Sequence, residues 1–274
     1  MMIITSLLLL AIGFTLVFTL WKRMAHALQM LQQCHYMNDR FTTWIAGHRL
    51  VAFPLPLSVL VVIYWGLMVL TSLSTGISEV ALTWGALIIS LLGVGMIKIS
   101  SGVSKESKKP LKITARVWRI IATGVVVMLL FSGLGLALLE SHIELVGVQV
   151  IGWLLIFNLF AYFLMLVANW LNKPMENSIR LGFINDARRI IKNSQSLDVV
   201  GVTGSYGKTS TKHALNAILS EQFNTLMTPE SYNTPMGITI TIRNYLKPIH
   251  SKFIAEMGAY KVGEINELCN IAYP

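Results

Sequence analysis

The sequence predicts a multi-pass α-helical membrane domain followed by a partial α/β domain with a parallel sheet. Three observations predict it. Residues 1–171 carry long apolar runs with only 11 Lys/Arg and 5 Asp/Glu. Residues 172–274 carry 11 Lys/Arg and 8 Asp/Glu and have the mixed composition of soluble protein. In that second part, short β-branched runs alternate with helical patterns, which implies parallel strands joined by right-handed crossovers. Over the whole chain 54% of residues are hydrophobic and 13% charged, against roughly 25% charged in ordinary globular chains. Much of the net charge of +9 sits beside the apolar runs, so it is no nucleic-acid signature and no nucleic-acid partner is expected. Cys34 and Cys269 are far apart, give neither a disulfide framework nor zinc spacing, and fit a reducing compartment.

Five stretches are long enough to span a bilayer, which takes about 20 apolar residues: 3–20, 53–73, 80–99, 120–139 and 145–168. None has a charge in its interior, so a set of buried soluble-core helices would lack polar faces for water. The first run lacks a basic leader and a small-residue cleavage site, and Trp21-Lys22-Arg23 follows it directly, which suits an uncleaved anchor. Loop charge sets the orientation. The loop 21–52 carries Lys22, Arg23, Arg40 and Arg49, and 98–119 carries Lys98, Lys105, Lys108, Lys109, Lys112, Arg116 and Arg119. The turns 74–79 and 140–144 carry no Lys or Arg. Basic loops favour the cytoplasmic side, so the N-terminus is expected outside and the C-terminal part inside, at the plasma membrane. The stretch 104–119 is also suited to anionic lipid headgroups, making membrane lipid an expected partner. Residues 29–50 read as an interfacial helix, with His35 and His48 structural. Asn158 is the main polar group inside a span, too little for a transport pathway.

The domain reading is a membrane domain over 1–171, a connector over 172–197 and an α/β domain over 198–274. Pro174 is expected to break the last membrane helix. The connector helix places Ile184, Ala187, Ile190 and Ile191 on one side. "DVVGVT", "NTLMT" and "KFIAEMG" then read as three strands. "KTSTKHALNAILSEQF" reads as a helix with Leu215, Ile218 and Leu219 at helical spacing. "NTPMGITITIRNYL" reads as a helix with an Asn/Thr cap and Pro235 in its first turn. "GEINELCNIA" closes the series as a helix. The loops after the strands, near 204–208, 229–234 and 257–261, would share the carboxyl edge of the sheet, where ligands bind in such folds.

The first of those loops reads T-G-S-Y-G-K-T over residues 203–209. It misses the common G-x-x-x-x-G-K-[ST] phosphate-loop pattern, because Gly201 stands one place too early. The physical parts are present, and they make the second domain a P-loop domain. Gly204 and Gly207 permit backbone angles that gather N–H groups around a phosphate, and a helix N-terminus follows. Lys208 supplies a point charge for the outer phosphates, and the Thr209 hydroxyl suits magnesium.

T-G-S-Y-G-K-T-S-T-K resembles the phosphate loop of the Mur ligase family, which uses T-G-x-x-G-K-[ST]. "TPESYNTPMGI" (228–238) resembles that family's second motif, and "AEMGAYKVGEI" (255–265) its E-[LM]-G-[AS] motif followed by G-E-I. The likeness covers about 180–274 and is nearest to the branch that adds D-alanyl-D-alanine to a muramoyl tripeptide; the membrane part resembles membrane-fused members. The resemblance implies ATP and Mg2+ as cofactors and an acyl-phosphate route from a carboxylate to an amide. It implies Thr203, Gly204, Ser205, Tyr206, Gly207, Lys208, Thr209, Ser210, Asn233 and Thr234 as nucleotide-binding residues. Lys208 and Glu256 take the catalytic roles, Thr209 the first magnesium, and Glu256 helps to bind a second. Asn233 also reads as a helix cap, and Tyr206 as a cover for the loop or a stacking platform. The implied partners are a wall precursor, as UDP-muramoyl peptide or a lipid-linked form, and an amino acid or D-Ala-D-Ala.

Two alternatives stay open: another ligase of the fold, of the folyl-polyglutamate or poly-amino-acid type, and a non-enzymatic membrane scaffold with a nucleotide pocket. The family's later histidine motif, its modified lysine and its closing domain have no counterpart here. The expectation is therefore a C-terminally truncated chain that binds ATP without ligase turnover.

Overall fold

In the computed structural model the described residues are 2–55, 57–61, 63–65, 110–138, 146–230, 232–259 and 262–274. They are mostly helical with one small parallel sheet, and the chain divides into two compact units, Met1–Lys173 and Pro174–Pro274.

The first unit contains α1 (Met2–Gln33), α2 (Asn38–Gly47), the single turn α3 (Arg49–Ala52), α4 (Ala115–Leu138) and α5 (Val146–Leu159). It also holds the first part of α6 (Ala161–Asn193). Along α1, Leu16, Leu20, Met24, Ala27, Leu28 and Leu31 are buried at three- and four-residue spacing, the stripe a packed helix needs. They join two apolar clusters with Ile120, Ile151, Leu155, Tyr162 and Met165. Among the described residues one segment, Ala115–Gly135, is long and apolar enough to cross a membrane. The number rises to three if the bent pairs Asn38–Gly47 with Arg49–Trp65 and Gln149–Leu159 with Ala161–Asn193 each count as one span. On α4, Val126, Leu129, Leu130, Phe131 and Leu134 are exposed, an apolar surface that water would not favour.

Several expectations change here. The run 3–20 lies within α1, which continues to Gln33, and the supposed loop 21–52 is largely helical. Of its four basic residues, Arg23 is buried rather than solvated: Nε donates to the Asn158 carbonyl at 2.7 Å and Nη2 to the Ala52 carbonyl at 2.9 Å. The Asn158 side chain in turn donates to the carbonyls of Leu16 and Leu154. Arg23 and Asn158 thus fasten α1 to α5 by satisfying buried backbone groups. The run 145–168 is not one straight helix; it bends by 77° at the break after Leu159. Pro174, by contrast, does not break its helix. It lies inside the 33-residue α6, where the cost of its one missing N–H is absorbed by packing upstream, through Met165 and Ala168, and downstream, through Ile184 and Ala187. The predicted span 80–99, the residues 66–73 of the second span, the turns 74–79 and 140–144 and the basic residues 104–109 lie outside the described residues.

The second unit contains the rest of α6, β1 (Asp198–Val202), α7 (Lys208–Ser220), β2 (Thr225–Met227), α8 (Pro235–Tyr245), β3 (Lys252–Glu256) and α9 (Glu264–Ala272). The strands run parallel in the order β1-β3-β2. Asp198 faces Lys252 and Val202 faces Glu256 across β1 and β3, and Met227 faces Ile254 across β2 and β3. The central strand is buried from Phe253 to Glu256, as a strand flanked on both sides should be. Ile184, Ala187 and Ile191 of α6 bury with Ile238, Ile242, Phe253, Leu268 and Ile271, so the connector helix belongs to the core of this unit. Asp186 reinforces the join by accepting from Arg243 of α8 at 2.7 Å. Ile218 does not join the core and is 69% exposed. The cap on α8 is as the sequence reads: Thr234 Oγ1 accepts from the Gly237 N–H at 3.2 Å, with Pro235 at the first helical position.

Candidate nucleotide site

The carboxyl edge of the sheet brings together the ends of β1, β2 and β3. The loop after β1 turns through two positive-φ glycines, Gly204 at 152° and Gly207 at 76°. A side chain at either position would strain the backbone. Gly207 caps α7 without a side-chain acceptor, so the first N–H groups of the helix face the loop as a partial positive charge. Lys208 reaches back and donates to the Gly204 carbonyl at 2.6 Å. Thr203, Ser205 and Ser210 are exposed around this turn, and the Tyr206 ring projects outward at 95% exposure.

Glu256 ends β3 and is 2% exposed at its side chain. The Thr209 hydroxyl lies 3.2 Å from Oε1 and 3.1 Å from Oε2 and donates to the carboxylate. Asn233 Nδ2 donates to Oε1 at a long 3.4 Å. Lys212, one helical turn beyond Thr209 and fully buried, places Nζ 3.0 Å from Oε2 and donates to the Glu230 carbonyl at 2.6 Å. The edge is tied by backbone bonds as well: Met257 N donates to the Val202 carbonyl, and Gly258 N to the Asn233 carbonyl. Thr228 Oγ1 accepts from the Glu256 N–H at 3.0 Å. Burial alone pushes the Glu256 carboxyl up. The hydrogen bonds from Lys212 and Thr209, the Lys212 charge and the Asn233 amide outweigh it and hold the group below the ordinary glutamate range. Glu256 is therefore an ionised carboxylate at neutral pH.

Of the residues read from sequence, Gly204, Gly207, Lys208, Thr209, Asn233 and Glu256 converge on this edge. Thr234 serves α8 as its cap, and Tyr206 projects into solvent. Sequence reasoning missed Lys212, Thr228 and the Glu230 carbonyl. A signal for Lys212 was present. It heads the inner stripe of α7 at positions 212, 215, 216 and 219, where an apolar residue is expected. Among the described residues no group of three His, Cys, Asp or Glu could hold a metal. The oxygen donors here are one carboxylate and one hydroxyl.

Comparison with known proteins adds a second line. The family described as Mur ligase middle domain matches residues 202–274. UDP-N-acetylmuramoyl-tripeptide–D-alanyl-D-alanine ligase of Synechocystis is 39% identical over 79 residues, covering 29% of this chain and 17% of the relative. The enzymes of the same name from Buchnera aphidicola (subsp. Acyrthosiphon pisum) and Escherichia coli K12 are 34% identical over 84 residues and 40% over 76. They cover 31% and 28% of this chain, and 18% and 17% of the relative. The chain thus spans less than a fifth of the length of the curated relatives it matches. No solved structure matches it.

Proposed function

We propose, from the match of residues 202–274 to the Mur ligase middle domain, that this protein is a membrane-anchored, ATP-dependent amide ligase of peptidoglycan precursor synthesis. The reaction joins D-alanyl-D-alanine to a UDP-muramoyl tripeptide, the pair in its relatives' name, or to a lipid-linked form of that tripeptide. A substrate carboxylate takes the γ-phosphoryl group of ATP to give an acyl phosphate and ADP, and an amine then displaces phosphate to form the amide.

The observation that carries the reading is the convergence of Lys208, Thr209 and Glu256 behind a two-glycine turn at a helix N-terminus. The donor set fits Mg2+, a hard cation that takes one or two protein oxygens and completes its shell with phosphate and water. When bound, Mg2+ neutralises phosphate charge. The chain's own residues do the rest. The Gly204–Gly207 backbone and the first turn of α7 cradle the phosphates. Lys208 exchanges the Gly204 carbonyl for the β/γ-phosphate oxygens. Thr209 and Glu256 offer oxygen ligands, and Asn233 holds the Glu256 side of the site. The first unit serves as a multi-pass plasma-membrane anchor with the N-terminus outside and this site in the cytoplasm. The basic stretch 104–119 meets anionic lipid.

Native membrane vesicles test the proposal. Inside-out vesicles should bind labelled ATP; those carrying the protein as its gene encodes it should release ADP only with both muramoyl tripeptide and D-Ala-D-Ala, whereas residues 1–274 alone are expected to bind ATP without turnover. Sealed right-side-out vesicles should do neither. Equal binding in both orientations contradicts the topology, and ADP release indifferent to the dipeptide contradicts the ligase assignment.

A further inference from the structure

Lys212 is the only fully buried cation among the described residues of the second unit, and it sits behind the nucleotide site rather than in it. Its ammonium has two bonds that connect three elements. One goes to Glu256 Oε2 at the end of β3, at 3.0 Å, and one to the Glu230 carbonyl in the loop after β2, at 2.6 Å, while the residue itself belongs to α7. Glu230 has a positive φ of 39°, a conformation that a non-glycine residue keeps only where its surroundings hold it. The two oxygens of Glu256 are consequently unequal. Oε2 is engaged by the buried ammonium and Oε1 only by the Asn233 amide at a long 3.4 Å, while the Thr209 hydroxyl straddles the two at 3.1 and 3.2 Å.

We propose that Lys212 is the positioning residue of this site. By engaging Oε2 with a buried ammonium it would leave Oε1 as the less encumbered oxygen of Glu256, the one available to the magnesium of a nucleotide complex. This rests on the ATP–magnesium reading above. A small octahedral cation suits one-oxygen ligation. Calcium, which is larger and accepts both oxygens of a carboxylate, is disfavoured by the same arrangement. Through Glu230 the residue also fixes the loop that carries Asn233, so the two side chains flanking Oε1 are set by one ammonium.

The test is binding of a fluorescent ATP analogue to the full chain in detergent micelles, titrated separately with magnesium chloride and calcium chloride. In Lys212→Met the magnesium concentration for half-maximal binding should rise at least tenfold, while affinity in EDTA stays within twofold of wild type. Calcium should support binding better, relative to magnesium, than in the wild type. A Lys212→Met protein with wild-type magnesium and calcium midpoints overturns the proposal. Because that variant leaves a buried carboxylate unpaired and can unfold, Lys212→Met/Glu256→Gln is compared with Glu256→Gln alone. Equal magnesium midpoints are expected, since Lys212 acts through Glu256; a further rise of threefold or more in the double variant overturns it. A wild-type protein that binds no nucleotide sinks the ATP reading and this inference together. Wild-type binding with an unmoved Lys212→Met midpoint sinks this inference alone.

Discussion

Gly258→Ala probes the site through its packing. A Cβ built at Gly258 lies 2.9 Å from Asn233 Cγ and 3.0 Å from its Nδ2, where ordinary contact begins at 3.4 Å. The Asn233 side chain must therefore retreat by about 0.5 Å. It has little room to do so, because its own carbonyl is held by the Gly258 N–H at 2.9 Å. Its amide is already at a long 3.4 Å from Glu256 Oε1, so a displacement of that size disturbs the hydrogen bond. Gly258 is not among the positive-φ glycines, so the cost is steric and not backbone strain. Overpacking of this kind costs about 1–3 kcal/mol. In a unit of about 100 residues each kcal/mol lowers Tm by about 4–8 °C. Gly201→Ala is the control: its Cβ meets the terminal carbon and sulfur of Met257 at 3.2 Å, the flexible end of a side chain that can swing away, and the Pro274 Cβ at 3.3 Å. Thermal unfolding followed by circular dichroism should show a drop of at least about 4 °C for Gly258→Ala and a smaller one for Gly201→Ala. Nucleotide affinity should fall only in the former. Equal shifts in the two variants would refute the claim that Asn233 is wedged between Gly258 and Glu256.

Three further outcomes follow from the same geometry. Thr234→Ala removes the acceptor for the Gly237 N–H and should cost about 1 kcal/mol, read as a lower urea midpoint. Ile242→Ala opens a cavity in the fully buried cluster between α8, α6 and β3 and should cost about 2–5 kcal/mol by the same measurement. Glu256 has a folded pKa below its unfolded value, so its stabilising contribution is full above the ordinary glutamate pKa of about 4.3 and is lost as pH falls through the folded value. Urea midpoints measured from neutral pH down into that acid range should fall less steeply for Glu256→Gln than for wild type. Some slope should remain, because the hydrogen bond from Arg243 also holds the Asp186 carboxyl low.

The second unit was legible in sequence to the extent that its signals are local. The β-branched runs at 198–202 and 252–256, the Thr234 cap with Pro235 and the glycine spacing of 204–207 depend on neighbours within a turn or a strand. They reappear in place. Sequence marks Lys212 only by its place in the inner stripe of α7; its role is set by two partners 18 and 44 positions away in the chain, Glu230 and Glu256. Arg23 was misread for the same reason. A basic residue just after an apolar run looks solvated, and only the carbonyls of Val51, Ala52 and Asn158 make burial affordable. Pro174 and the bend after Leu159 show the opposite failing. Proline is a strong local punctuator, yet packing on either side carries α6 through it, while the bend falls at Phe160, with no glycine or proline between residues 153 and 173 to mark it.

The central claim is that the Gly204–Thr209 turn holds the phosphates of ATP through Lys208. The most direct measurement is calorimetric titration of the detergent-solubilised chain with ATP in magnesium, for wild type and Lys208→Ala. The account predicts saturable one-to-one binding by wild type and at least a tenfold loss in Lys208→Ala, with circular dichroism unchanged. Undiminished binding by a folded Lys208→Ala protein, or no binding by wild type, would contradict it.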